Sequence, residues 1–277
     1  MMAGATQTMS PDTGVGGEIR PGRSSRLRPA VRPMVLGSAA VVLLIAMWQL
    51  ICSLHMVKPI FLPTPLEVAN ALGTLFTGGA VYHDLAVSGE EFIVGLAISV
   101  VLGGVLGILT GWYKPVDEFF KPLVIGINSM PQVAVIPILI LVFGIGMAPK
   151  IIVVVLSCTT VILLNTAAGV ENVEEKLMRM SKSFGASDSQ VIRSVVLPHL
   201  VPFFMTGLRI SIGRAMIGVV VGEIFSSNAG IGNLLISASD NFNMPVMYAT
   251  VVVITVLGVV LTQLAARMER RMQRWRA

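Results

Sequence analysis

Residues 171–202 read ENVEEKLMRMSKSFGASDSQVIRSVVLPHLVP, and this stretch decides how the rest of the chain is organised. It joins two long apolar runs with about thirty residues, where a plain helix connection takes roughly 2–8. Its pattern predicts two short amphipathic helices. Asn172 with Glu175 three residues on is a variant of the capping box, and the helix that follows puts Val173, Leu177, Met180 and Phe184 on one stripe. Gly185 then supplies a stop, because glycine takes the left-handed conformation without steric cost. Ser187 and Gln190 form a second capping box. It opens a helix with Val191, Ile192, Val195 and Val196 on one side and Leu197-Pro198 at its end. Such a shaped surface can fit a groove in a partner and pass rigid-body motion onward. An amphipathic hairpin lying on lipid has the same pattern.

On either side of this stretch the chain is apolar. Of 277 residues, 54% are hydrophobic and 13% charged, which excludes an ordinary soluble domain. Crossing a bilayer takes roughly 20 helical residues. Six runs qualify: 34–54, 92–111, 123–143, 151–170, 203–225 and 246–266. The third holds Pro131 and Pro137 and is expected to be kinked or partly unwound. That shape is tolerated in a membrane only where protein or a water-lined path satisfies the freed backbone groups. The fold expected is therefore all-α, a polytopic membrane protein of six transmembrane helices. Residues 1–33 read as a disordered tail, 34–266 as the six-span domain and 267–277 as a basic tail. The first run is long for a secretory signal and no small-x-small cleavage site follows it, so an uncleaved helix is expected.

Lys and Arg orient the spans, because cytoplasmic loops carry an excess of both. With the N-terminus inside, the inner segments hold Arg20, Arg23, Arg26, Arg28, Arg32, Lys114, Lys121, Lys176, Arg179, Lys182 and Arg193, then Arg267, Arg270, Arg271, Arg274 and Arg276. The outer segments hold only Lys58 and Lys150. Both termini are therefore expected in the cytoplasm. The net charge of +5 follows from this topology; no RNA- or DNA-binding pattern accompanies it. Cys52 and Cys158 sit in apolar runs, and His55, His83 and His199 are scattered. No metal spacing, cofactor motif or catalytic constellation emerges.

The outer segment 55–91 opens with Pro59, Pro63 and Pro65, and 66–76 is expected to form a helix in the interface. Residues 226–245 form the last outer loop. Gly103, Gly107 and Gly111 in the second run, and Gly218 and Gly222 in the fifth, permit close helix approach. Packing within one subunit is the preferred reading over a dimer contact. Arg209, Arg214 and Glu223 are the charges inside a run. A central Arg costs roughly 2.5–3.5 kcal/mol on insertion scales, so each should face protein or water. Arg209 and Glu223 stand fourteen positions apart, about 20 Å along a helix at 1.5 Å per residue, and cannot pair. Arg209 is near enough to the inner surface to snorkel or brace the 171–202 loop. Arg214, near mid-membrane, is the better candidate for contact with an anionic solute, although an intersubunit or intrahelical polar contact is the preferred reading for it; Glu223, near the outer end, is the candidate for stabilising an outer gate.

The run Ser183-Phe184-Gly185-Ala186-Ser187, followed by Val195-Val196-Leu197-Pro198, resembles the ATPase-docking loop of binding-protein-dependent ABC transporter permeases. That family's pattern is Glu-Ala-Ala, three residues, Gly, nine residues, Ile, any residue, Leu-Pro. Gly185, Leu197 and Pro198 match it and Val195 takes the isoleucine place. The Glu-Ala-Ala places fall on Arg179, Met180 and Ser181, where this chain departs. Phe61-Leu62-Pro63-Thr64-Pro65, Pro137 with Phe143-Gly144-Ile145-Gly146, Asn165 with Gly169, Gly207-Leu208-Arg209, Glu223 and Gly230-Ile231-Gly232 are similar to the nitrate, alkanesulfonate and taurine importer subgroup.

The resemblance implies the type I permease fold of ABC importers, in a bacterial inner membrane. It also implies a dimer of this chain with itself or a close relative, two ATP-binding subunits docked from the cytoplasm, and a solute-binding protein delivering cargo outside. The chain carries no Gly-rich phosphate loop with Lys-Ser/Thr, so ATP hydrolysis is expected in a partner and not here. Pro131, Pro137, Arg209, Arg214 and Glu223 are expected along the translocation path or its gates. A secondary transporter or channel is the alternative; its usual acidic coupling residues are scarce in these runs.

Overall fold

The computed structural model describes residues 31–273. The chain falls into two compact units, residues 1–47 and 48–277. Arg20, Arg23, Arg26, Arg28, Arg274 and Arg276, and with them most of the tail read at 1–33, lie outside the described residues. Helix α1, Val31–Ser53, takes in the last three residues of that tail and is apolar over 36–53.

In the second unit, α2 (Pro65–Thr77) is the expected short helix of the 55–91 segment. A reciprocal capping box starts it: the Thr64 amide donates to Glu67 Oε2 at 2.7 Å, and the Glu67 amide to Thr64 Oγ1 at 3.3 Å. Trp48 Nε1 donates to the Pro63 carbonyl at 3.1 Å, which fixes the chain just before that cap. The long helices are α3 (Ala80–Trp112), α6 (Met147–Glu171), α9 (Leu197–Ser226) and α11 (Met244–Gln273). Helix α6 is central: 56% of its most apolar stretch is buried, against 22% for α3 and α11.

Small residues explain how closely these helices approach. A Cβ added at Gly107 would lie 2.5 Å from Thr166 Cβ and 2.8 Å from the Leu163 carbonyl. Gly103 and Gly111 meet Ile162 and Val170 in the same way, so the stripe in α3 packs against α6 within the subunit. On the other face of α6, Gly207 of α9 abuts Asn165, Gly169 receives Phe203, and Gly222 rests on Lys150. Helix α11 covers α9 and α2, where Val68, Ala71 and Ala249 share a small core beneath Trp48 and Tyr248.

The third run is broken. Helix α4 (Lys114–Ser129) and the continuation made by a 3₁₀ turn at Gln132–Val135 and α5 (Ile136–Phe143) meet at 90° across Met130 and Pro131. Pro131 precedes the 3₁₀ turn and Pro137 lies in the first turn of α5, positions where a missing amide hydrogen costs nothing. Among the described residues five helices are individually long and apolar enough to cross a membrane, and the bent pair, taken as one span, makes a sixth.

Candidate functional site

Residues 172–196 fold into a knob. Helix α7 (Glu175–Ser183) begins at Glu174 without a side-chain cap. The capping role expected of Asn172 is therefore corrected: Asn172 closes α6, and its Nδ2 donates back to the Ala168 carbonyl at 2.7 Å. Gly185 adopts φ +79°, the left-handed stop the sequence required. The Ser187–Gln190 capping box is present and opens α8 (Asp188–Val191). Pro198 does not end that helix. A π-turn at Ile192–Val196 widens the spiral just ahead of the proline, and α8 runs through it into α9 as one apolar span, Asp188–Ser226.

Val173, Val191 and Val196 are buried with Val170 and Leu200, which anchors the knob to the ends of α6 and α9. Among the described residues the rest of the α7 stripe stays exposed: Leu177 is 43% exposed, Met180 48% and Phe184 86%. Charges rim it, with Arg179 paired to Glu175 at 2.6 Å and Lys182 to Asp188 at 3.4 Å. Arg179 stands where the family pattern has glutamate, and its partner lies on its own helix.

Both sides of the broken span are tied to the core. Ser157 Oγ of α6 donates to Gln132 Oε1 at 2.5 Å, and Arg214 Nη1 of α9 donates to Asn128 Oδ1 at 3.1 Å. Between them lies a cavity of about 250 Å³, lined also by Met130, Val133 and Gly218. Arg209 sits one and a half turns from Arg214 and pairs with Glu269 Oε2 at 3.3 Å, on α11 and not on the knob. Glu269 lies in the stretch read as a tail from 267; the helix carries it on to Gln273.

At the other end of the bundle, Glu223 is fully buried. Its carboxylate accepts from Ser88 Oγ at 2.5 Å and from the Gly232 amide at 2.7 Å. The neighbouring amides of Gly230 and Ile231 donate to Asp84 and Ser88, so α3 and α9 together hold the start of α10 (Ile231–Asp240). Beside this latch Lys150 forms a buried ion pair with Glu91 and donates to Ser227 Oγ at 3.1 Å. Lys150 is thus corrected from an outer-segment cation to a buried one in the first turn of α6. The sequence does not mark Glu91 and marks Lys150 only as an outer charge, for each falls one residue outside an apolar run. The usable signal was charge of opposite sign at the edges of two apolar runs, Glu91 next to Glu90 before one and Lys150 before the other.

Six apolar crossings, one of them broken beside a polar cavity, and a folded knob between the fourth and fifth define a multi-pass helical membrane permease. The chain belongs to the binding-protein-dependent transport system inner membrane component family, whose model matches residues 99–274. It is the permease subunit of an ABC importer, and its relatives are permease components, not enzymes. The Bacillus subtilis protein SsuC, whose name assigns it to aliphatic sulfonates transport, is 29% identical over 84% of each chain. The taurine transport system permease protein TauC of Escherichia coli is 28% identical over 89% of this chain and 92% of its own. An inward-facing structure of the MetNI methionine ABC transporter shares the fold, with a TM-score of 0.56 at 19% identity over 70% of this chain and 94% of that one.

Proposed function

We propose that two copies of this chain form the membrane path of an importer for a small anionic solute of the sulfonate, taurine or nitrate kind. Two separate ATP-binding subunits dock on the 172–196 knob, and a solute-binding protein delivers cargo to the opposite face. The observation that carries this reading is the bare stripe of Leu177, Met180 and Phe184 on an otherwise anchored knob. A surface apolar patch of this kind, rimmed by charge, fits a partner's groove. Ser183, Gly185, Ala186 and Ser187 shape its turn, and Val195, Leu197 and Pro198 join it to α9, so force on the knob reaches a single continuous span.

The orientation follows from charge. Counted along the sequence with crossings alternating, sixteen Lys and Arg belong to the inner segments, and with Lys150 buried only Lys58 remains in the outer ones. The knob and both termini are thereby cytoplasmic, in the inner membrane of a bacterium. The broken span with Pro131 and Pro137 lines the path, Arg209 braces its inner half through α11, and Glu223 holds the outer loop. The cargo class rests on the relatives named for sulfonate and taurine transport and on Arg214 in a span.

The test is uptake of taurine, an alkanesulfonate and nitrate by vesicles holding the permease with its ATPase and binding protein. ATP-dependent uptake of at least one of these three oxyanion-bearing solutes is expected. Uptake that persists without ATP and follows an ion gradient contradicts the reading.

A further inference from the structure

Helices α6 and α9 bring three cations into the spans, and one of them differs from the others. Lys150 lies against Glu91, and Arg209 against Glu269. Arg214 has no carboxylate within ion-pair distance among the described residues; its one protein partner there is the neutral amide of Asn128. A guanidinium carries five N–H donors in a planar fork. One bond to Asn128 leaves the rest of that fork to the cavity that Arg214 lines.

Placing an unpaired Arg in a span is costly, and where it does not serve an internal pair its charge is available to a ligand. The surroundings suit an anion. Asn128, Gln132 and Ser157 line the same cavity as neutral polar groups, and among the described residues no acidic side chain lines it. Its volume of about 250 Å³ falls just below the roughly 300–1,000 Å³ of pockets for drug-sized ligands, so it suits something smaller. The break at Met130–Pro131 borders this space, with Met130, Gln132 and Val133 on its wall.

We propose that Arg214, with Asn128, Gln132 and Ser157, forms an intramembrane way-station for a small oxyanion group, the sulfonate or nitrate-like end of the cargo. The planar fork of Arg214 takes two oxygens of such a group side by side. The NH2 groups of the Asn128 and Gln132 amides then satisfy the remaining oxygens, while the Ser157 hydroxyl holds Gln132 in place through its Oε1. The biological role of the station rests on the anionic-cargo reading above, but its charge preference is measurable without cargo or ATP.

The experiment places a cysteine reporter, Val133→Cys, on the cavity wall in the full transporter in nanodiscs, with Cys52 replaced by Ser. Val133 lines the cavity and is 46% exposed, whereas Cys158 is fully buried. Two thiosulfonate reagents are compared, one ending in ethylsulfonate and one in trimethylammonium. Each rate is divided by the reagent's rate with a free small thiol and corrected by the parent chain lacking the reporter. The sulfonate reagent is expected to be favoured, and Arg214→Gln to lower that preference about tenfold, the effect of one nearby charge in a partly solvated site. Arg214→Lys, which keeps the charge, is expected to retain it. A preference unchanged by Arg214→Gln overturns the proposal, as does a preference for the cation in the unaltered cavity. Vesicle uptake separates the two failures: import of a sulfonate-bearing solute or nitrate with an unchanged reagent ratio removes the station alone, while import of only solutes that carry no oxyanion group removes the cargo class as well.

Discussion

The carboxylate of Glu223 accepts the amide of Gly232, nine residues further along the chain, at 2.7 Å. A side chain from the end of α9 thereby caps the helix that follows the next turn, and Ser88 of α3 shares the same carboxylate. The last outer loop is therefore held by two helices of the bundle.

Removing that carboxylate strands two buried donors. Glu223→Ala is expected to cost about 3 kcal/mol or more, since hydrogen bonds to a charged group are worth roughly 1.5–3 kcal/mol each. Thermal unfolding of the purified protein measures the loss. Amide hydrogen exchange should quicken first at Gly232, whose amide loses its acceptor, and then over residues 230–240 as the start of α10 loosens. Unchanged exchange there would mean the latch does not hold the loop.

Lys150 and Glu91 test a different point. Both are buried, with side-chain exposures of 3% and 0%. Lys150→Met alone leaves an unpaired buried carboxylate and is expected to cost about 3–5 kcal/mol. Lys150→Met with Glu91→Leu should recover most of that loss, since an apolar pair of similar volume avoids the desolvation of two charges. A double-mutant cycle on unfolding stability reads the coupling; additive effects would contradict the pairing.

The glycine stripe makes a size prediction. Gly107→Ala forces α3 away from α6 and is expected to destabilise by about 1–3 kcal/mol, the usual cost of overpacking. Gly89→Ala, on the same helix with open space around its added Cβ, should be neutral or stabilising by up to about 1 kcal/mol. Equal effects at the two positions would remove the close-approach argument.

At Gly185 the constraint is conformational. Its φ is +79° and an added Cβ would meet nothing within 4 Å, so backbone strain is the whole cost. Gly185→Ala is expected to destabilise the turn by about 1–2 kcal/mol and Gly185→Asn by less, because asparagine visits the left-handed region readily. Limited proteolysis within residues 183–188 should rank the variants in that order, Ala most sensitive.

Much of this architecture was legible because it rests on local signals. Run length gave the crossings, Pro131 and Pro137 the broken one, and Gly185 with Ser187 and Gln190 the turn of the knob. What escaped depends on how distant helices are set against each other. Glu91 and Lys150 lie fifty-nine positions apart, and no periodicity along the chain announces that two helix registers bring them together. Glu269 escaped because hydropathy ends a span before the helix itself ends. Pro198 misled because a π-turn absorbs a proline that would otherwise stop an α-helix. Asn172 fitted a capping pattern that α6 had already claimed for its own last turn.

The central claim is that the bare stripe on the knob receives an ATPase, and the direct measurement is co-purification of the permease with that ATPase in mild detergent. Phe184 is 86% exposed, so Phe184→Asp should leave folding and membrane insertion unchanged. The account predicts stable binding by the wild type and a loss of about tenfold or more with Phe184→Asp, as for an interfacial aromatic anchor. Full retention of the ATPase by Phe184→Asp, and by Met180→Asp beside it, would contradict it.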